Sequence, residues 1–144
     1  MICNSVRETK NFASGLSKKF QKGQVIALNG DLGSGKTTFS QGIAEGLGIE
    51  QHVGSPTFKL VSEYYGEILR LYHVDCYRLN NADEFLNLGG ENLLLPDNGI
   101  TLIEWANIIK ELLPEDVIEI VFSRVKGEPN KRLLKIRGMD QSNE

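Results

Sequence analysis

Gly30-Asp31-Leu32-Gly33-Ser34-Gly35-Lys36-Thr37 follows directly on the apolar run Val25-Ile26-Ala27-Leu28, and the reading of this stretch decides the fold. It is a Walker A pattern, GxxxxGK followed by Ser or Thr, in which a glycine-rich loop cradles phosphates. At ordinary amino-acid frequencies the pattern arises by accident in roughly one chain in two hundred of this length. The apolar run before it is short, β-branched and opened by Gly23, whereas Thr37 to Leu47 has the apolar spacing of a helix and stops at Gly48. The loop therefore joins a strand to a helix, the setting its chemistry requires.

A polyphosphate carries several negative charges on closely spaced oxygens, so the loop must turn backbone N–H groups inward. Glycines at 30, 33 and 35 permit this because they accept positive φ and lack a β-carbon. Lys36 supplies a point charge to the β- and γ-phosphates, Thr37 offers a hydroxyl to Mg²⁺, and the free N–H groups at the helix start attract the anion.

The chain has 144 residues, enough for one domain with its own core. Residues 1–139 are expected to form it, with 140–144 a disordered tail. Cys3 and Cys76 have neither CxxC nor zinc-ligand spacing and read as buried or idle thiols of a reducing cytosol. Charged residues follow Met1-Ile2-Cys3-Asn4 closely, and no apolar run is long enough to cross a bilayer, so a soluble, cytoplasmic protein is expected. A net charge of −3 argues against an unaided grip on nucleic acid, since Lys18-Lys19 with Lys22 is too short for a basic stripe.

Ser5-Val6-Arg7-Glu8 fits a capping box, and the spacing predicts a first helix over about Val6 to Phe20 with Phe12, Leu16 and Phe20 on one face. A core strand is predicted at Gln24 to Asn29. Thr57 to Tyr64 and Ile68 to Val74 read as strands joined at Tyr65-Gly66. Short helices are predicted at Asp83 to Leu88, Glu91 to Leu95 and Asn107 to Leu113, with a buried strand at Ile100 to Ile103. A final hairpin is expected from Val117 to Val125 and Arg132 to Arg137 across Gly127-Glu128-Pro129-Asn130. The order implies an α/β fold, a mixed sheet flanked by helices, with its site at the carboxyl ends of the strands.

Hydrolysis needs more than a phosphate loop: Mg²⁺ must be held and a water placed, which usually takes a carboxylate at the end of a neighbouring strand. Asp75, after Leu69 to Val74, and Glu104, after Ile100 to Ile103, both qualify. Glu104 has as its lesser alternative a strand-end acid capping the next helix, and Asp75 a turn former. Thr57, in Ser55-Pro56-Thr57-Phe58, stands where nucleotide switches place a sensing hydroxyl, or simply in a loop entering a strand. His73 alternates with Asp75 along one strand face; a lone strand histidine reads as hydrogen-bonded structure and stays outside the catalytic set. Trp105 packs in the core, covers the site or faces a partner.

These elements together resemble the TsaE family, also called YjeE. The matching stretches are Gly30 to Thr38; Ser55-Pro56-Thr57-Phe58 with Leu60 to Tyr64; Tyr72-His73-Val74-Asp75-Cys76-Tyr77-Arg78-Leu79; and Ile103-Glu104-Trp105. The resemblance implies a P-loop NTPase-like fold and an ATPase that binds ATP or ADP with Mg²⁺. It also implies work with TsaB and TsaD, the partners that transfer threonylcarbamoyl to an adenosine beside the anticodon of tRNA. Nucleotide contacts would run along Asp31, Leu32, Gly33, Ser34, Gly35, Lys36, Thr37 and Thr38, with Thr57 in a switch-like loop and Trp105 near the nucleotide. Thr37 and Glu104 would bind Mg²⁺, with Asp75 helping to organise the metal or hydrolysis and Lys36 acting on the phosphates. Val6 to Thr9, including both end residues, would border the adenine. Ala106 departs from the proline often found after the Glu-Trp pair, and the C-terminal hairpin carries no motif.

A small-molecule kinase is the competing reading. It would need a second binding site and usually an arginine-bearing lid, and the arginines here do not cluster. A guanine-nucleotide switch lacks its Asn-Lys-x-Asp motif. The acidic segment Asp83-Glu84-Phe85 is a candidate partner surface.

Overall fold

A computed structural model describes residues 1–31, 33–54 and 60–139. Its elements run β1 (Ile2–Cys3), α1 (Val6–Ser17), β2 (Val25–Asn29), α2 (Lys36–Gly46), β3 (Val61–Tyr65), β4 (Arg70–Asp75), α3 (Ala82–Asn87), β5 (Gly99–Glu104), β6 (Ile118–Val125) and β7 (Glu128–Arg137). Two 3₁₀ segments, Gly90–Leu94 and Ala106–Leu112, flank β5. The strands form one mixed sheet in the order β1-β7-β6-β2-β5-β4-β3. Strands β6, β2, β5 and β4 are mutually parallel, and the antiparallel pairs β3/β4 and β6/β7 extend the sheet on both sides. The expected α/β architecture is therefore present, with β2 and its loop near the centre.

Side chains alternate across this sheet and divide the core in two. Ile26 and Leu28 of β2 join Ile100 and Leu102 of β5 beneath Ala13 and Leu16 of α1 and Phe39 and Ile43 of α2. Val25 and Ala27 face the other way, onto Ile103, Phe85 and Ile109. The two helices pack closely at Gly42, where an added Cβ would lie 2.6 Å from the Lys10 carbonyl oxygen and 2.7 Å from the Ala13 Cβ.

Local chemistry sets the boundaries. The Ser5 hydroxyl accepts from the Glu8 N–H at 3.1 Å, and the Glu8 carboxylate accepts from the Asn4 N–H at 2.7 Å, which starts α1. The helix ends at Ser17 rather than Phe20, because Lys18, Lys19 and Phe20 donate to carbonyls three residues back and tighten the chain into a turn. Asn107 to Leu113 also differs from expectation. It is a 3₁₀ segment interrupted at Ile109, and the Asn107 N–H is taken by the Asn29 side chain at 2.9 Å.

The C-terminal hairpin turns at Lys126-Gly127, not across Gly127 to Asn130. Val125 already faces Glu128, and residues 129–131 bulge before Arg132 rejoins the register opposite Arg124. A bulge accommodates Pro129, which has no N–H for the ladder. Strand β1 was not foreseen: Cys3 pairs with Arg132 and the Met1 carbonyl accepts from the Leu134 N–H at 2.8 Å. Both cysteines are free and buried, and burial pushes the Cys76 thiol up to about 12. No helix among the described residues is long and apolar enough to cross a membrane. The first part of the strand predicted from Thr57, and the tail 140–144, lie outside the described residues.

Candidate nucleotide site

The loop leaves β2 at Asn29 and enters α2 at Lys36 through Gly35, whose φ of 109° suits a residue without a side chain. Lys36 is 5 % exposed. Its ammonium donates to the Gly30 carbonyl at 2.6 Å, the Asp31 carbonyl at 2.9 Å and the Ser34 hydroxyl at 3.4 Å, and lies 4.3 Å from the centroid of the Trp105 ring. Burial pushes the Lys36 pKa down, and the charges of Glu104, Asp31 and Asp75 act in the opposite sense. The loop thus holds the Lys36 ammonium against its own carbonyls at the edge of the cavity.

Two adjacent parallel strands bring the carboxylates to it. Asp75 at the end of β4 is in register with Glu104 at the end of β5, and Glu104 is in register with Leu28 just ahead of the loop. Alternation from Leu71 and Leu102 points both acids to the face that carries α2. The Thr37 hydroxyl donates to Glu104 Oε1 at 3.5 Å, and Glu104 Oε2 is bonded to His73 Nε2 at 2.6 Å. Trp105, at the N-cap of the segment after β5, has no side-chain cap, and Glu104 spends its oxygens on Thr37 and His73 instead. Asp75 does form a turn, accepting the Tyr77 N–H at 2.9 Å, while still lining the cavity. Burial pushes its pKa up and Glu104 adds to this; the Tyr77 N–H, His73 and Lys36 oppose it.

Trp105 has φ 58°, the one positive value of a non-glycine residue among the described residues. Such a conformation carries a cost that surrounding contacts must offset. Here the ring packs 4.9 Å from Tyr77 and faces Lys36, so the side chain both packs against the second core and borders the site.

Gly33, Gly35, Lys36, Thr37, Thr38, Asp75, Glu104 and Trp105 line one cavity of about 340 Å³. Val6 and Thr9 of α1 line a cleft of about 40 Å³ that shares Gly35 and Thr38 with it. Asp31 lies on the far side of Trp105 in a separate hollow, and Ser34 is buried beneath Lys36. Leu32 and Thr57 lie outside the described residues.

Residues 3–133 match the family model for threonylcarbamoyl adenosine biosynthesis protein TsaE. The chain belongs to the TsaE family. The tRNA threonylcarbamoyladenosine biosynthesis protein TsaE of Bacillus subtilis is 47 % identical over 118 residues, covering 81 % of this chain and 72 % of the relative. Its Rickettsia bellii counterpart is 40 % identical and covers 94 % and 92 %, and that of Treponema pallidum is 34 % identical and covers 92 % and 96 %. The crystal structure of Bacillus subtilus YdiB superposes with a TM-score of 0.73 at 37 % identity, covering 94 % of this chain and 82 % of that one.

The TsaE match includes Arg132, a residue of the candidate site that sequence reasoning missed. Its Nη2 donates to the Gly33 carbonyl at 3.2 Å, and its side chain lines both the main cavity and the cleft beside Val6. Nothing local marks it, because its position depends on β7 pairing with β6 and the unforeseen β1. Tyr77 was missed too, although it lies in the stretch that carries the resemblance and lines the cavity.

Proposed function

We propose that this chain is a Mg²⁺-dependent ATPase subunit of the machinery that places threonylcarbamoyl on a tRNA adenosine beside the anticodon, acting with TsaB- and TsaD-like partners. Membership of the TsaE family supports the pathway. One observation carries the chemistry: Lys36 and Thr37 meet Asp75 and Glu104, which are distant from them in sequence, at one cavity beside the glycine-rich loop.

In this reading the loop N–H groups and Lys36 bind the β- and γ-phosphates, Thr38 and Arg132 border the rest of the nucleotide, and Val6 and Thr9 flank its base. The Thr37 hydroxyl and the Glu104 and Asp75 carboxyl oxygens are hard donors of the kind Mg²⁺ prefers. Among the described residues no three or more His, Cys, Asp or Glu side chains form a metal cage; Mg²⁺ typically takes one or two carboxylates and completes its shell with phosphate and water. When bound, the ion neutralises charge that develops on the phosphates. Asp75, with one oxygen held by the Tyr77 N–H, keeps its carboxyl at the cavity wall to orient the attacking water. The net charge of −3 favours tRNA held by the partners rather than by this chain.

The test is ATP turnover by the chain alone, with TsaB- and TsaD-like proteins, and with a metabolite pool. Slow turnover alone and acceleration by the partners are expected. Fast turnover by the isolated chain would count against partner dependence, and phosphate transfer to a metabolite would replace the reading with that of a kinase.

A further inference from the structure

His73 is completely buried on β4, on the same sheet face as Asp75 and Glu104. Its Nε2 lies 2.6 Å from Glu104 Oε2, while its buried Nδ1 has no hydrogen-bond partner among the described residues. Against an ionised carboxylate, Nε2 is the donor in this bond. An unpartnered buried polar atom is a cost that an apolar side chain at this core position would avoid. The bond to Glu104 offsets that cost.

That bond divides the carboxylate between two tasks. Oε2 is held from the core side by His73, and Oε1 is left toward the Thr37 hydroxyl, 3.5 Å away. We propose that His73 is a positioning residue that fixes Glu104 as a one-oxygen Mg²⁺ ligand, so that Glu104 Oε1 and Thr37 Oγ1 meet the metal together. The proposal rests on the reading of Glu104 and Thr37 as the metal-binding pair. A hydrogen-bonded donor behind a ligating carboxylate pre-sets its rotamer, and losing such a partner typically lowers metal affinity about 10–100-fold. Lys36, assigned to the phosphates, bonds Gly30, Asp31 and Ser34, whereas His73 bonds Glu104.

The experiment is calorimetric titration of ADP in EDTA and across a Mg²⁺ series, on wild type and on His73→Leu, His73→Asn, His73→Gln and Glu104→Gln. Leu has no donor, and the Asn amide overlies Nδ1 and stops short of Glu104. The Gln amide reaches as far as Nε2. Expected are unchanged ADP affinity in EDTA for all His73 variants and a Mg²⁺ requirement raised about 10–100-fold in the Leu and Asn variants. His73→Gln is expected to stay near wild type. Wild-type Mg²⁺ dependence in the Leu or Asn variant, with Glu104→Gln impaired, would overturn the role of His73 alone. Equal loss of ADP affinity with and without Mg²⁺ would also overturn it, by revealing general structural damage. Unaltered Mg²⁺ dependence in Glu104→Gln would overturn both the metal assignment and the inference built on it.

Discussion

Asp75 and Glu104 stand side by side in register, yet their surroundings set them apart. Glu104 is 3 % exposed and has hydrogen-bonding groups at both oxygens, whereas Asp75 is half-buried with its pKa pushed up mainly by burial. Glu104→Gln is expected to retain nucleotide while its partner-stimulated hydrolysis falls about 100-fold, the usual scale for losing an electrostatic catalytic group; unchanged turnover would remove Glu104 from the mechanism. For Asp75 the raised pKa has a consequence for stability. The folded state binds the proton more tightly than the unfolded one, so stability declines as pH rises from the ordinary aspartate value of 3.8 through the raised folded value. Asp75→Asn removes that penalty and is expected to melt at a higher temperature than wild type at pH 7, with the gap closing as the pH falls toward about 4. A lower melting temperature at pH 7 would show that the Asp75 charge stabilises the fold. Such a gain in stability alongside lost activity is the common trade at functional positions.

At the scale of elements, α1 and α2 depend on close approach. Gly42 sits mid-helix, where alanine would gain about 1 kcal/mol in propensity. Its Cβ would press on the Lys10 backbone carbonyl and the buried Ala13, neither of which is a flexible side-chain end. Overpacking of this kind costs about 1–3 kcal/mol, so Gly42→Ala is expected to lower the urea midpoint, and an unchanged or raised midpoint would contradict the packing argument. The pattern that made α2 readable did not reveal this constraint, because it comes from a second helix. Strand β2, the loop and α2 were legible because local signals agree there: a β-branched run, three glycines and a helical period. The same holds for β4 and β5, whose apolar residues lead straight to Asp75 and Glu104. Strand β1 is only Ile2–Cys3 and has no signal apart from its pairing with β7, and the turn at Lys126-Gly127 was masked by Pro129, which a bulge absorbs. Arg132 inherited both difficulties, so the wall it gives the cavity emerged only from the assembled sheet.

For the whole molecule, the sheet order places the loop after β2 beside the ends of β5 and β4, and the C-terminal hairpin closes the opposite side through Arg132. The segment Asp83-Glu84-Phe85 divides its residues: Phe85 is fully buried in the second core, which leaves the exposed Asp83 as the part of that segment most open to a partner. Recovery of TsaB- and TsaD-like proteins with this chain is expected to depend on the nucleotide supplied, and identical recovery with and without a non-hydrolysable ATP analogue would disconnect the site from assembly. All of this presupposes that the cavity binds a nucleotide through the loop. The most direct measurement is calorimetric titration of ATP with Mg²⁺ into wild type and Lys36→Ala, with folding verified by circular dichroism. Saturable binding by wild type and none by a folded Lys36→Ala is the expected result; near-equal affinity in the two proteins would contradict the assignment of Gly30 to Thr37 as the phosphate-binding loop.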